Sequence, residues 1–259
     1  MLVQVPFMCG DGSHPAAAGP ARVARAAGLP SVVVDGGGDG DESLRVNRRL
    51  SDSVRHVVAD GALPLVVAGS CDASLGVLAG RPEGDCGIVW LDAHGDFNTP
   101  ASSQSGFLPG MSLAIAVGDC HRERWAQVGG APVAEGTVVL LGVRDLSPDA
   151  ERERLAASAI AAVPPGGDAI AALDALARRT RYVYLHVDLD AFDPAVAPGI
   201  VDDPVPGGLS RADGERIVRA VVDRFAVRAA TIATYVPARD RDDRTLALVL
   251  DLIELLRRA

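Results

Sequence analysis

Apolar residues in this chain gather in short, β-branched runs separated by longer stretches with a helical repeat. The runs are Leu2 to Phe7, Ser31 to Val34, Leu65 to Ala68, Gly87 to Leu91, Thr137 to Leu141, Tyr182 to Val187 and Ala230 to Tyr235. Strands that alternate with helices predict a parallel sheet covered on both faces, because parallel pairing needs a crossover between successive strands. In the intervening stretches Leu50, Val54, Val57 and Val58, and again Leu246, Val249, Leu250, Ile253 and Leu256, recur at the helical period. Such stripes are expected to face the core. Ser43 and Ser210 precede periodic stretches as expected N-caps, and Gly61 and Gly80 stand where helices should stop. No long linker or internal repeat divides the chain, so residues 1–259 are expected to form a single α/β domain.

Composition narrows the partners. The formal charge is −9 and the basic residues are scattered, which argues against nucleic acid, since phosphate binding needs clustered cations. No run of about 18 apolar residues is present to span a membrane. The N-terminal MLVQVPFM lacks a basic leader and reads as the first strand of a cytoplasmic protein. Cys9, Cys71, Cys86 and Cys120 are irregularly spaced with no C-x-x-C pair, so they are expected to be thiols. All 25 basic residues are Arg, a codon signature without chemical meaning. The acidic, glycine-rich Asp35-to-Glu42 segment lacks the ligand spacing of a calcium loop and reads as solvated. A small-molecule partner remains.

Chemistry concentrates at two strand ends. The strand Gly87-Ile-Val-Trp-Leu runs into Asp92-Ala-His-Gly-Asp96, which sets Asp92, His94 and Asp96 on one side of an extended segment. Tyr182-Val-Tyr-Leu-His-Val runs into Asp188-Leu-Asp190 with the same alternation, followed by Asp193-Pro194. In open parallel sheets sites form at the carboxyl edge, where loops diverge without disturbing the core. Four carboxylates and an imidazole converging there would repel one another unless cations neutralise them. Two divalent ions are the simplest neutraliser. Oxygen and imidazole donors suit Mn²⁺ or a similar ion, and a pair roughly 3.5–4 Å apart acidifies the water between them enough to furnish hydroxide near neutral pH.

Asp92-Ala-His-Gly-Asp-Phe-Asn-Thr-Pro100 resembles the Asp-Ala-His-x-Asp-x-Asn-Thr-Pro signature of the arginase/agmatinase (ureohydrolase) superfamily. Asp188-Leu-Asp-Ala-Phe-Asp-Pro194 resembles its Asp-x-Asp-x-x-Asp-Pro. Similar too are Gly19-Pro20, Ser105-Gly106 with Gly110-Met111, Gly142-Val-Arg-Asp145, Ala195-Val-Ala-Pro-Gly, Pro204-Val-Pro-Gly-Gly-Leu-Ser210 and Pro237, in order along nearly the whole chain. The resemblance implies a three-layer α-β-α sandwich with a mainly parallel sheet of about eight strands, assembled as a trimer or hexamer. It implies that Asp92 and Asp188 bridge two metals, usually manganese, that Asp96 binds the first, and that His94 and Asp190 bind the second. Hydrolysis of guanidino or formimino C–N bonds is the implied chemistry.

The chain departs from that pattern at four places. The family's Gly-Gly-Asp-His-Ser, whose His completes the first metal site, is Ala68-Gly-Ser-Cys-Asp-Ala-Ser74 here. Cys71 takes the place of that His if the small residues keep register, and Asp72 does if the alignment slides by one. A thiolate would bias the first site toward Zn²⁺, whereas an inert thiol would leave it weak or empty. The shuttle His of Ser-Gly-Asn-Leu-His-Gly falls at Pro109, the guanidinium-gripping Glu at Thr234, and an arginase Asp that reads the substrate amine at Ser147. Without that Glu a delocalised cation loses its bidentate partner. The expectation is therefore a metallohydrolase of a small guanidino-, formimino- or amide-type substrate other than arginine. Asp96 and His94 are its catalytic residues, with Asp96 accepting a hydrogen bond from the attacking hydroxide, and Asn98, Ser105 and Thr234 contact substrate. A catalytically inactive homologue retained for binding or assembly is the alternative. His14 is a candidate substitute ligand or shuttle at the functional edge, while His186, deeper in its strand, reads as a packed core residue.

Overall fold

The computed structural model describes residues 1–82, 84–201 and 204–258. Eight strands form one sheet: β1 (Leu2–Val5), β2 (Ser31–Val33), β3 (Leu65–Ala68), β4 (Gly87–Leu91), β5 (Val138–Leu141), β6 (Ala161–Val163), β7 (Tyr182–Asp188) and β8 (Ala226–Ala233). Their order is β2-β1-β3-β8-β7-β4-β5-β6, with every pairing parallel. The crossovers carry α1 (Gly19–Ala27), α2 (Glu42–Ala59), α3 (Ala73–Gly80), α4 (Ser112–Ala116), α5 (Arg122–Val128), α6 (Asp149–Ala157), α7 (Ala169–Ala177) and α8 (Arg211–Arg224), and α9 (Arg244–Leu256) follows β8.

Central strands alternate between two cores. In β4, Val89 and Leu91 pack on the face covered by α1, α7, α8 and α9, whereas Ile88 and Trp90 pack on the face covered by α2 to α6. In β7, Val183, Leu185 and Val187 join the first core and Tyr184 the second. A strand buried on both sides must be apolar throughout, which is why these runs read as continuous rather than alternating. The α2 stripe Val46, Leu50, Val54 and Val57 is buried, as its period requires.

Three expectations need correction. The apolar pattern shows seven runs, and β6 is not among them: it is three residues, Ala-Ala-Val, on the sheet edge, and is too short and too poor in β-branched residues to announce itself. Phe7 and Tyr235 lie beyond their strands, which end at Val5 and Ala233. The N-cap of α2 is Asp41, whose carboxylate accepts from Leu44 N at 3.0 Å, and not Ser43. Ser43 instead turns inward, its hydroxyl bonding Asp72 at 2.6 Å. Ser210 does cap α8, accepting from Asp213 N, and the chain leaves α2 and α3 at Gly61 and Gly80.

Candidate metal centre

The central strands β3, β8, β7 and β4 lie side by side, and the chain steps from β3 to β4 across the other two. A crevice therefore opens at their carboxyl ends. Asp92 follows β4, Asp188 ends β7, Thr234 follows β8, and the Gly69-Ser70-Cys71 turn follows β3. The turn lies close over the first loop, where a Cβ on Gly69 would stand 2.3 Å from the Phe7 carbonyl oxygen. Only glycine permits that approach.

Backbone amides hold the acids in place. Asp92 Oδ1 accepts from His94 N at 2.7 Å, Asp188 Oδ1 from Asp190 N at 2.8 Å, and Asp190 Oδ1 from Ala93 N at 3.0 Å, tying the two strand ends together. Trp90 Nε1 fixes the other Asp92 oxygen at 3.0 Å. His94 Nδ1 lies 3.0 Å from Asp190 Oδ2 and 3.3 Å from Asp92 Oδ1. Asp96 is buried in left-handed backbone at φ 45°, with Oδ2 lacking a hydrogen-bond partner among the described residues. The structure thus brings Asp92, His94, Asp96, Asp188 and Asp190 into one cavity.

Like charges in a dry site resist ionisation. Burial, then the charge of Asp190, raises Asp92 to about 6. Burial, with Asp92 the next cause, holds Asp96 far above the carboxylate range, and burial with Asp190 and Asp92 does the same to Asp188. Against its own burial, hydrogen bonds to Asp190 and Asp92 push His94 up to about 12. The same His94 hydrogen bond outweighs burial at Asp190 and lowers it. In the absence of cations protons are therefore retained here. A buried donor set whose acids resist ionisation through desolvation and mutual repulsion is the set that divalent ions relieve, so these residues fit a metal centre.

Cys71 and not Asp72 faces the acids. Its Sγ donates to Asp188 Oδ2 at 2.8 Å, and burial, followed by the charges of Asp188, Asp96 and Asp92, raises the thiol well above its usual range. Asp72 points away, with its carboxylate taken up by Ser43, Ser70 and Asn47. His14 lines the cavity, but its Nδ1 caps the following turn by accepting from Ala16 N at 3.2 Å, and it joins neither compact donor group there. Those groups are Asp92, His94 and Asp190, and Cys71, Asp92, His186 and Asp188. The second group contains His186, which its depth in the strand assigns to the core. It is wholly buried, and burial lowers it to about 3.

The cavity holds about 590 Å³ and is also lined by Asn98, Ser105, Phe107, Pro109, Ser147, Glu151 and Thr234. A model of the arginase family matches residues 6–256. This chain belongs to the arginase family. The arginase of Brevibacillus brevis is 34% identical over 225 residues, covering 82% of this chain and 74% of that protein. The N(omega)-hydroxy-L-arginine amidinohydrolase of Streptomyces lavendulae is 31% identical over 195 residues, covering 74% and 68%. The crystal structure of arginase from Bacillus subtilis superposes with a TM-score of 0.87 at 26% identity over 98% of this chain and 96% of that one. The chain is thus an arginase-family hydrolase by descent, with a metal-binding donor cluster at the expected sheet edge.

Within that family the replaced positions are informative. Thr234, at φ 73°, donates its hydroxyl to Asp188 Oδ1 at 2.6 Å, so it supports one of the clustered acids. Asn98 is held between Ser102 and the Ser147 carbonyl. Ser105 accepts from Phe107 N at 3.2 Å in the loop that forms the rim. One residue carries no signal in the sequence pattern. Glu151 is buried, accepts from Phe97 N at 2.9 Å, and is raised to about 7 by burial; a lone Glu on a helix does not reveal that placement. Arg144, part of the Gly142-Val-Arg-Asp145 match, donates to the carbonyls of Asp190, Ala191 and Val205, binding the strand end and the following loop as one unit.

Proposed function

We propose that this chain hydrolyses a non-peptide C–N bond in a small guanidino-, formimino- or amide-type substrate other than arginine. The reading assigns two divalent ions to Asp92, Asp188, Asp96, Cys71, His94 and Asp190. The observation that carries it is the buried donor cluster at the bottom of a ligand-sized cavity in an arginase-family chain. Bound there, divalent ions supply Lewis acidity and acidify water.

The chain's own residues supply the rest. Asp92 and Asp188 are the shared acids, and Mn²⁺ suits the second position, where the donors are oxygen and imidazole. Asp96, whose Oδ2 has no partner among the described residues, accepts the hydrogen bond of the attacking oxygen, and Asn98, Ser105 and Thr234 face the substrate. Pro109 has no proton to give, and Thr234 carries no charge. A guanidinium would therefore meet a hydroxyl already bonded to Asp188 instead of a bidentate carboxylate. Cytoplasmic location and a homo-oligomeric assembly, as a trimer or hexamer, belong to the same reading; no described helix is long and apolar enough to cross a membrane.

A panel of guanidino, formimino and amide compounds, assayed for urea, ammonia and formamide release with Mn²⁺ supplied, tests the proposal. Turnover of a panel member with negligible action on arginine and agmatine is expected. Robust arginine hydrolysis would overturn the substrate assignment, and silence across the panel would favour a binding or assembly role.

A further inference from the structure

The imidazole absent from the loop after β3 has a counterpart inside the sheet. One donor atom from each of Cys71, Asp92, His186 and Asp188 lies within 4.8 Å of the other three, and all four residues are buried. The two nitrogens of His186 differ. The Tyr184 hydroxyl donates to Thr231 Oγ1 at 2.8 Å, so toward His186 Nδ1, 3.1 Å away, it presents a lone pair and accepts an N–H. That places the ring proton on Nδ1 and the free lone pair on Nε2, as outer hydrogen bonds commonly do for a ligating histidine. Nε2 has no hydrogen-bond partner among the described residues. A buried acceptor left without a partner calls for an explanation.

The ring is also locked in orientation. Trp90 stacks on it at 3.8 Å between centroids and 20° between planes, while the same indole holds Asp92 Oδ2. Register makes this possible, since Trp90 and His186 are directly paired between β4 and β7.

We propose that His186 Nε2 replaces the missing loop imidazole, so that a cation in the first position is held by Cys71, His186, Asp92 and Asp188 and is preferentially Zn²⁺, with Asp96, which joins neither compact donor group, left as a hydrogen-bond acceptor instead of a ligand. The inference rests on the two-ion reading above and deepens it. One sulfur, one nitrogen and two oxygens make a four-coordinate set of the kind zinc takes, and thiolate disfavours the harder Mn²⁺. The second position, with His94, Asp190 and the shared acids, offers only nitrogen and oxygen. One centre would then hold two unlike ions.

Competition with a chromogenic chelator measures Zn²⁺ affinity in the wild type, His186→Gln and Cys71→Ser, and calorimetry measures Mn²⁺ in parallel. Each variant is expected to lose at least about tenfold in Zn²⁺ affinity, a loss that even outer-shell changes can cause, with Mn²⁺ little affected. Because His186 is in the core, folding of each variant is checked by circular dichroism. A measurement that does not depend on those variants is X-ray absorption at the zinc edge of His94→Ala, which leaves His186 as the one imidazole in the two donor groups. One sulfur at about 2.3 Å and one imidazole nitrogen at about 2.0 Å are expected, and a spectrum lacking either overturns the proposal. Two ions in the wild type with unchanged Zn²⁺ affinity in a folded His186→Gln overturns this inference alone. No ion in any form overturns the two-ion reading with it.

Discussion

The Cys71 thiol, in the turn after β3, meets Asp188 at the end of β7 across 2.8 Å, Sγ to Oδ2. Both groups are buried, and burial with neighbouring charge raises both well above their usual ranges, so in a metal-free molecule the S–H bond satisfies one Asp188 oxygen. A cation taking the place of that proton would find sulfur and oxygen already converged. Cys71→His should therefore raise Mn²⁺ affinity at the first position and lower its preference for Zn²⁺. Arginine turnover should remain negligible, because Thr234 and Pro109 are unchanged. Titration calorimetry with both metals, followed by a urea assay, checks this; arginase activity appearing in Cys71→His would place the block at position 71 alone.

Removal of metal should leave a protein that is weaker at higher pH. Asp92 near 6, Glu151 near 7, and Asp96 and Asp188 higher still all bind protons more tightly folded than unfolded. Their contribution is full below the unfolded carboxylate values of about 4 and is lost as pH rises through the folded values. Asp190, lowered, acts in the opposite sense below about 4, and His94, raised to about 12, adds to the loss as pH climbs past its unfolded value of about 6.5. The chelated protein should thus melt lower at pH 8 than at pH 5.5, by about 2–4 °C for each kcal/mol lost. Added Mn²⁺ should raise Tm more at pH 8, where it competes with fewer protons. Scanning calorimetry of chelated and loaded samples gives both slopes, and a chelated Tm that climbs toward pH 8 would contradict the account.

Arg144 should matter more than its partial exposure suggests. Among the described residues its fork forms no ion pair and instead gathers the carbonyls of Asp190, Ala191 and Val205. Arg144→Ala releases the backbone that aims Asp190, and metal affinity at the second position should fall roughly tenfold, as for other supporting shells. Lys at this position should not rescue it, since one ammonium cannot span a planar fork of acceptors. Mn²⁺ titration of the two variants is the check, and wild-type affinity in Arg144→Ala would show that the loop holds its shape unaided.

Much of this arrangement is legible in the sequence because both acid-rich segments directly follow apolar strand runs, which carries them to the carboxyl edge of a parallel sheet. Asp92, His94 and Asp96, and likewise Asp188 and Asp190, announce one edge by that placement, but the extended alternation expected of them does not hold: β4 ends at Leu91, Asp96 sits at φ 45°, and Asp190 lies in the turn Leu189–Ala191. Depth and neighbours are not encoded that way. His186 shares its face with Asp188, yet only the pairing of β4 with β7 brings Trp90 over its ring and leaves Nε2 facing no protein partner among the described residues. The choice between Cys71 and Asp72 also requires three dimensions, because the two adjacent side chains diverge and a one-residue slide exchanges them. Asp72 faces Ser43 and Asn47 of α2, a contact between residues 29 and 25 positions apart that no local pattern displays. The same inward turn of Ser43 explains why a serine placed like a cap is not one.

The central claim is that this cluster holds two divalent ions through shared acids. Elemental analysis of protein purified without chelator, beside Asp188→Asn prepared identically, tests it most directly. Two ions per chain are expected in the wild type and close to none in Asp188→Asn, because a shared oxygen ligand serves both positions. A wild type devoid of metal after incubation with Mn²⁺ and Zn²⁺, or an Asp188→Asn variant that still holds both ions, would contradict it.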